Sequence, residues 1–311
     1  MFTQLSAADL RALSIFQTIC RCGGFTGAQD ALDLSQSTIS NHIAGLESRI
    51  GFSLCTRGRK GYQLTERGKS VLDTYQKLSI NLDSFCHDIS ALQDESSGVL
   101  RVGTLDHMLT ENRFSVVQLI SDFTHQSPNV ELHLIQDNQF ELHNALVEEQ
   151  LDLVIGAAVN NSKFVKTTRL YDELHHLYCG KNHPFFAKGR DQLSTHDIAA
   201  ANWVTNGYPP GVFSMQPFPN VKSSVIATNI ETIAMTILAG KHIGYLPAHY
   251  AGKYENQSLL KQLLPSEFSQ ETEISVISKV GRRQSYAMRQ FQRVCLEQVH
   301  VSSGSLGDLP T

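Results

Sequence analysis

Residues 25–46 read FTGAQDALDLSQSTISNHIAGL. The spacing of the apolar residues predicts two short helices joined by a tight turn, with Thr26 as cap of the first and Ala28, Ala31 and Leu32 on its inner side. Leu34 closes the turn, and either Ser35 or Ser37 can cap the second helix, because each offers an oxygen to the unpaired amides of its first turn. Ile39, Ile43 and Leu46 fall at i, i+4 and i+7 and point inward. The opposite face displays Gln36, Ser37, Thr38, Asn41 and His42, short polar residues that suit a helix lying close to base edges in a major groove. Taken alone, the stretch also fits an ordinary two-helix corner.

Its surroundings favour the groove. Ser6 with Asp9 forms an acidic capping box ahead of an earlier helix that Gly23-Gly24 ends, and Gly51 stops the third. Leu54–Thr65 then reads as a short hairpin whose tip carries Arg57, Arg59 and Lys60, charges suited to phosphate or minor-groove contact. Thr65 caps a long helix to about Gln93, in which Val71, Tyr75, Leu78, Leu82, Phe85, Ile89 and Leu92 alternate at spacings of four and three. Such a seam predicts a helix pair between two chains, so that the reading unit is duplicated for two half-sites. Packing on its own domain is the competing reading.

Charge is divided in the same sense. Residues 1–70 hold eight Lys/Arg against five Asp/Glu, a surplus of +3, which leaves −7 of the net −4 for residues 71–311. The six cysteines, Cys20, Cys22, Cys55, Cys86, Cys179 and Cys295, form no C-x-x-C pair and read as free thiols. The first residues lack a basic segment followed by an apolar one, and no long apolar run appears, so a cytoplasmic chain without a membrane span is expected.

Asp94–Gly98 is a polar break, after which strands and helices alternate. Val99–Gly103, Val130–Ile135 and Leu151–Gly156 read as strands around helices Asn112–Gln126 and Asn138–Glu149. A second cycle runs through Leu174–Cys179, Trp203–Thr205, Val221–Thr228, the helix Glu231–Ala239 and His242–Leu246, followed by strand Glu271–Val280 and helix Gln284–Glu297. The tail from Ser302 reads as disordered. This alternation predicts an α/β chain with two lobes and a cleft outside the carboxyl ends of the strands.

The order of parts resembles the LysR-type transcriptional regulators over nearly the whole chain. Residues 23–68 carry the most specific matches: Phe25, Thr26, Ala28, Ala31, Leu32, Ser35, Gln36, Ser40, Ile43, Leu46, Glu47, Gly51, Leu54, Arg57, Leu64, Thr65 and Gly68. Ser37, Asn41, Ile50 and Cys55 depart from the family's usual Pro, Arg, Leu and Phe, and Asn41 would favour adenine. Weaker landmarks are Leu100–Gly103, Leu151–Gly156, Asn182–Pro184 and Ala239–Pro247. The resemblance implies a winged helix-turn-helix DNA-binding domain (1–64), a coiled-coil dimerisation linker helix (65–93) and an effector-binding domain (94–311). The last would have two α/β lobes like type 2 periplasmic binding proteins, lobe I at about 99–166 and 271–300 and lobe II at about 167–270, joined by strands crossing near Val165–Thr168 and Phe268–Glu273. DNA contacts are expected from Thr26, Ser35, Gln36, Ser37, Thr38, Asn41, His42, Arg57, Arg59 and Lys60. The implied partners are promoter DNA and further copies of the chain, as dimer or tetramer, with RNA polymerase a possible third.

The effector is expected between the lobes, at Thr104, Leu105, Asp106, His107, Ala157, Thr205 and Asn206. Their hydroxyl, amide and backbone donors suit a small carboxylate or another polar metabolite, and no further cofactor is implied. Asp106 and His107 could accept an amine or make the site pH-sensitive, or stand on an exposed loop. A transport-type binding protein would need an export signal. An enzyme would need a motif: His175, His176, His183, His196, His242 and His249 show no zinc-ligand spacing and read as surface or capping residues, so neither a metal site nor a catalytic residue is expected. A two-cysteine redox switch, used by peroxide-sensing family members, would require Cys179 and Cys295 to meet.

Overall fold

The computed structural model describes residues 4–58, 61–91, 97–158, 163–205, 217–218 and 221–304. It divides into two compact units, Met1–Phe85 and Cys86–Thr311.

In the first unit, α1 (Ala7–Arg21) begins with the capping box: Ser6 Oγ accepts from the Asp9 amide at 3.3 Å and Asp9 Oδ2 accepts from the Ser6 amide at 2.8 Å. Helix α2 (Phe25–Leu32) starts directly from Gly24, whose φ of 149° lets the chain reverse out of α1. Thr26 is therefore inside the helix rather than its cap, and Asp33, in the left-handed region, ends it. Ser35 caps α3 (Gln36–Ile50) by accepting from the Thr38 amide at 3.2 Å, and Gly51 stops it at φ 83°. Ile39, Ile43 and Leu46 join Phe16, Ile19 and Leu54 in one core. The antiparallel strands β1 (Cys55–Gly58) and β2 (Gly61–Leu64) form the hairpin, and α4 (Glu66–Ala91) follows.

The seam of α4 splits along its length. Val71, Tyr75 and Leu78 pack into the core of the first unit, whereas Leu82, Phe85 and Ile89 are exposed, Phe85 by 61%. Intrachain packing thus accounts for the first half of the heptad pattern, because those turns run beside the three-helix core. Leu92 lies outside the described residues.

In the second unit a nine-stranded sheet runs in the order β4-β3-β5-β11-β6-β9-β7-β8, with β10 also on β6. Its elements are β3 (Gly98–Thr104), α5 (Val116–Gln126), β4 (Val130–Gln136), α6 (Gln139–Val147), β5 (Leu153–Ala157), β6 (Val165–Gly180), α7 (Thr195–Ala200), β7 (Asn202–Thr205), β8 (Lys222–Ile226), α8 (Ile230–Leu238), β9 (Ile243–Pro247), α9 (Ala248–Glu255), β10 (Leu260–Gln262), β11 (Ser269–Lys279) and α10 (Tyr286–Gly304). Strands β3, β4 and β5 pair in parallel, as do β7, β8 and β9, each group forming one lobe. The long antiparallel pair β6 and β11 connects them, because β6 pairs with β11 along its length and with β9 at its carboxyl end.

Several boundaries differ from the sequence expectation. Helix α5 begins at Val116 because Ser115, accepting from the Gln118 amide, is the cap; residues 111–115 are not helical, and Phe114 is buried in the lobe I core. Strand β6 extends nine residues ahead of Leu174–Cys179, since its first half pairs with β11. Ser302–Gly304 continue α10 rather than opening the tail. No helix among the described residues is long and apolar enough to cross a membrane.

Lobe I has a single core built on Leu100, Val102, Leu119, Phe123, Val154, Ile277 and Phe291. Lobe II has one on each face of its strands, around Leu177 and Trp203 and around Val204, Ile237 and Leu246. An α/β sheet covered on both faces leaves its binding crevice at the carboxyl ends of the parallel strands.

Candidate functional site

On α3 the side chains of Gln36, Ser37 and Asn41 are exposed and those of Thr38 and His42 half-buried, while Thr26 is exposed on α2. Ser35 Oγ lies 2.9 Å from Ser37 Oγ and 2.8 Å from Thr38 Oγ1, so the helix start is a small hydroxyl cluster with no charge. This leaves an uncharged hydrogen-bonding face over three buried aliphatics, the pattern that fits base edges without a phosphate-seeking side chain. Arg57 is on β1 opposite Tyr62; Arg59 and Lys60 lie outside the described residues.

Glu47 positions the hairpin, a role its family match alone did not indicate. Its Oε1 accepts from the Leu54 amide at 2.6 Å and from the Cys55 amide at 3.4 Å. The Leu54 carbonyl in turn accepts from the Thr65 amide and hydroxyl. The peptide leading into β1 is thus held between α3 and the start of α4. Gly68 lets α4 approach so closely that a Cβ there would stand 2.0 Å from the Leu54 carbonyl oxygen.

Between the lobes, Thr104 ends β3 and Ala157 ends β5, and the Leu105 side chain is buried in the core of lobe I. Thr205, at the end of β7, hydrogen-bonds Ser223, and Asn206 lies outside the described residues. Among the described residues, two buried polar atoms at the lobe I edge have no hydrogen-bond partner, Thr104 Oγ1 and Gln139 Nε2. Gln139 Oε1 accepts from the Ala157 amide at 2.7 Å, placing this orphaned amide at the end of β5.

Asp106 and His107 are not on an exposed loop. They lead into a 3-10 turn, Met108–Thr110, that reaches from lobe I to lobe II. Asp106 Oδ2 accepts from the Ile230 and Glu231 amides at 2.8 and 3.4 Å, holding the first turn of α8. Thr110 Oγ1 lies 2.8 Å from His249 Nδ1 on α9. His107 Nε2 lies 3.0 Å from both oxygens of Glu173, a β6 residue with a side chain only 1% exposed. His249 Nε2 is 3.0 Å from Glu173 Oε1 and His175 Nε2 is 3.1 Å from Glu173 Oε2. Glu111, gripped by Arg113 through two hydrogen bonds of 3.1 Å, approaches His249 at 3.6 Å.

The sequence reading of His175 and His249 as surface or capping residues is thereby corrected. His175 alternates with Tyr171, Glu173 and Leu177 on the buried stripe of β6, and the side chain of His249 is 8% exposed. Burial opposes the charge of His107, but Asp106 and Glu173 outweigh it and push its pKa up to about 9. Burial likewise opposes ionisation of Glu173, yet His107, His175 and His249 hold it well below the usual carboxylate range. Sequence reasoning missed Glu111, Glu173, His175 and His249; the available signal was a carboxylate and an imidazole at alternate positions of an otherwise apolar stripe.

Cys179 and Cys295 are not brought together. Cys179 belongs to a lobe II core and Cys295 to that of lobe I, and burial pushes the Cys179 thiol up to about 12 and raises that of Cys295 too.

A helix-turn-helix with a hairpin wing, followed by a two-lobed α/β unit, defines a ligand-responsive DNA-binding protein. Residues 10–69 match the family described as "Bacterial regulatory helix-turn-helix protein, lysR family" and residues 93–300 match the "LysR substrate binding domain". The HTH-type transcriptional activator BauR of Pseudomonas aeruginosa is 30% identical over 299 residues, covering 96% of this chain and 97% of that protein. The HTH-type transcriptional regulator PtxR of the same organism is 24% identical, covering 84% of each chain. Among solved structures, full-length CbnR complexed with its target DNA superposes with a TM-score of 0.63 at 16% identity, covering 93% of this chain and 99% of that one. The Vibrio cholerae virulence activator AphB gives 0.54 at 16%, covering 93% and 98%. The chain belongs to the LysR family: it is a DNA-binding transcriptional regulator with a small-molecule effector-binding domain, and not an enzyme.

Proposed function

We propose that Gln36, Ser37, Thr38 and Asn41 read base edges in the major groove, with Ser35, Thr26 and His42 beside them and Arg57, Arg59 and Lys60 on the phosphates. The observation that supports this most directly is the exposed, uncharged face of α3 above a fully buried aliphatic stripe. Residues 1–64 act as the reading domain, 65–93 as the linker and 94–311 as the effector domain. Exposed Leu82, Phe85 and Ile89 pair two chains, and dimers associate into a tetramer at the promoter, where RNA polymerase is a further partner.

The effector is a small carboxylate or comparable polar metabolite held at Thr104, Ala157, Thr205 and Asn206, with Gln139 added. The orphaned Thr104 hydroxyl and Gln139 amide support a polar ligand, since buried polar atoms are seldom left unpaired. Binding shifts the balance between lobe arrangements and so between DNA-bound states. The test is a gel shift of the full-length protein on promoter DNA of neighbouring divergent genes, with and without small carboxylates. A salt-sensitive, sequence-selective shift that a carboxylate alters is expected; its absence would refute the assignment.

A further inference from the structure

The three imidazoles around Glu173 share one arrangement. His107 Nδ1 faces Asp106 Oδ1 at 3.2 Å, and His175 Nδ1 faces the Glu173 backbone carbonyl at 3.2 Å. A carboxylate and a carbonyl can only accept, so both rings carry their proton on Nδ1. Thr110 Oγ1 donates to the His107 carbonyl at 3.2 Å and so accepts from His249 Nδ1. His107 Nε2 and His249 Nε2 both stand within hydrogen-bond distance of the Glu173 carboxylate, which can only accept, so each donates to it; a metal ion would take the place of those protons at Nε2 while each Nδ1 keeps its own partner.

We propose that His107 Nε2, His249 Nε2 and Glu173 form a binding site for a divalent first-row transition metal of the Zn(II) class. The donor atoms of these three residues lie within 4.8 Å of one another. Metal–ligand bonds of about 2.0–2.1 Å in a tetrahedral site put neighbouring donors about 3.3 Å apart. The observed separations of 3.0 Å from Glu173 to each ring need only a small opening to accept the ion. Imidazole with carboxylate is the donor set of zinc, iron, cobalt and nickel rather than of magnesium or calcium. The surrounding shell is that of a metal site: a carboxylate behind His107, a hydroxyl behind His249, and Glu111 and His175 beside the open positions.

The ligands arise from three places in the fold. His107 comes from the loop after β3 in lobe I, Glu173 from the crossing strand β6, and His249 from the first turn of α9 in lobe II. An ion here ties the lobes together where Asp106 already grips α8. The site uses none of the side chains of the Thr104–Gln139 edge assigned to the organic effector, and it stands whether or not that assignment does.

The test uses full-length protein stripped with a chelator, then titrated with Zn(II) against a chromophoric competitor and, separately, with Co(II). Expected are one ion per chain, a visible Co(II) ligand-field band and a Zn(II)-dependent rise in the thermal midpoint. Glu173→Gln and His249→Gln should lower affinity by at least about 100-fold, and Thr110→Val, which removes only the hydroxyl behind His249, by about 10–100-fold. His133→Gln, on an exposed pair with Glu131, should bind as the parent does. Circular dichroism checks that each variant is folded, and Thr110→Val answers if Glu173→Gln does not fold. Failure of the parent protein to retain an ion overturns the proposal, as does binding that survives all three site variants unchanged, which would place the metal elsewhere.

Discussion

Replacing Glu47 by Ala tests whether α3 holds the hairpin. The carboxylate accepts a short hydrogen bond from Leu54, a residue with no exposed surface, and a longer one from Cys55. Removing it leaves a partly buried amide without its charged acceptor, at a cost of about 1.5–3 kcal/mol. For a unit the size of Met1–Phe85, a loss of 1 kcal/mol lowers the midpoint by roughly 4–8 °C, so a fall on the order of 10 °C is expected in the first unit. Glu47→Gln keeps a neutral acceptor and should lose about half as much. The single tryptophan, Trp203, lies in the second unit, so its fluorescence should not register the change. Amide hydrogen exchange resolved to peptides should report faster exchange at Leu54 and Cys55, and non-specific DNA affinity should fall with the hairpin's order. Unchanged protection at these two amides in Glu47→Ala, with an unchanged midpoint, would refute the reasoning; equal effects of Ala and Gln would remove charge from it.

Gly68→Ala should destabilise the first unit by about 1–3 kcal/mol or more, because its Cβ would meet a backbone carbonyl at 2.0 Å; denaturant unfolding followed by circular dichroism measures this. Gln36→Ala should weaken operator binding by roughly 1–3 kcal/mol while sparing random DNA, whereas Arg57→Ala should weaken both and flatten the salt dependence. Phe85→Asp should shift the protein from dimer to monomer in sedimentation equilibrium, since a charge would replace an exposed apolar residue in the proposed pairing seam. In chelated protein, His107 has a raised folded pKa, so its contribution is complete below the unfolded value of about 6.5 and is lost as pH rises through about 9. Glu173, whose folded pKa is depressed, adds stability above about 4.5 that is lost on acidification. Trp203-detected unfolding should therefore weaken between pH 6.5 and 9, and more so than in His107→Gln.

Helix α3 was legible because one residue in each turn had to be buried and the rest were free to vary. Ile39, Ile43 and Leu46 declare a helix face by spacing alone, and Gly51 marks its end through backbone chemistry that few other residues supply, whereas Ser35 and Ser37 fit its start equally well by sequence. The seam of α4 was legible as a seam but not in its partners. Val71, Tyr75 and Leu78 bury against their own unit, Leu82, Phe85 and Ile89 do not, and the same period of 3.5 serves both. Thr26 was misread as a cap because Gly23-Gly24 allows a second helix to start with no side-chain cap at all.

The inter-lobe cluster was illegible for a different reason. Its members are 66 positions apart from His107 to Glu173 and 76 from Glu173 to His249, and no local spacing rule links a loop, a crossing strand and a helix start. What brings them together is topology: the parallel ends of β3 deliver His107 to the crevice, and the carboxyl half of β6 runs beside β9, after which α9 begins at once. A carboxylate buried there is costly unless compensated, since breaking such a group from its partners costs about 3–5 kcal/mol. In this fold the compensation comes from both lobes at the same time. Any change in lobe arrangement must therefore either carry His107, Glu173 and His249 together or separate a buried charge from its partners. Separating the lobes at this point would leave a buried charge without its partners, a cost that a ligand's differential affinity for two lobe arrangements would have to exceed.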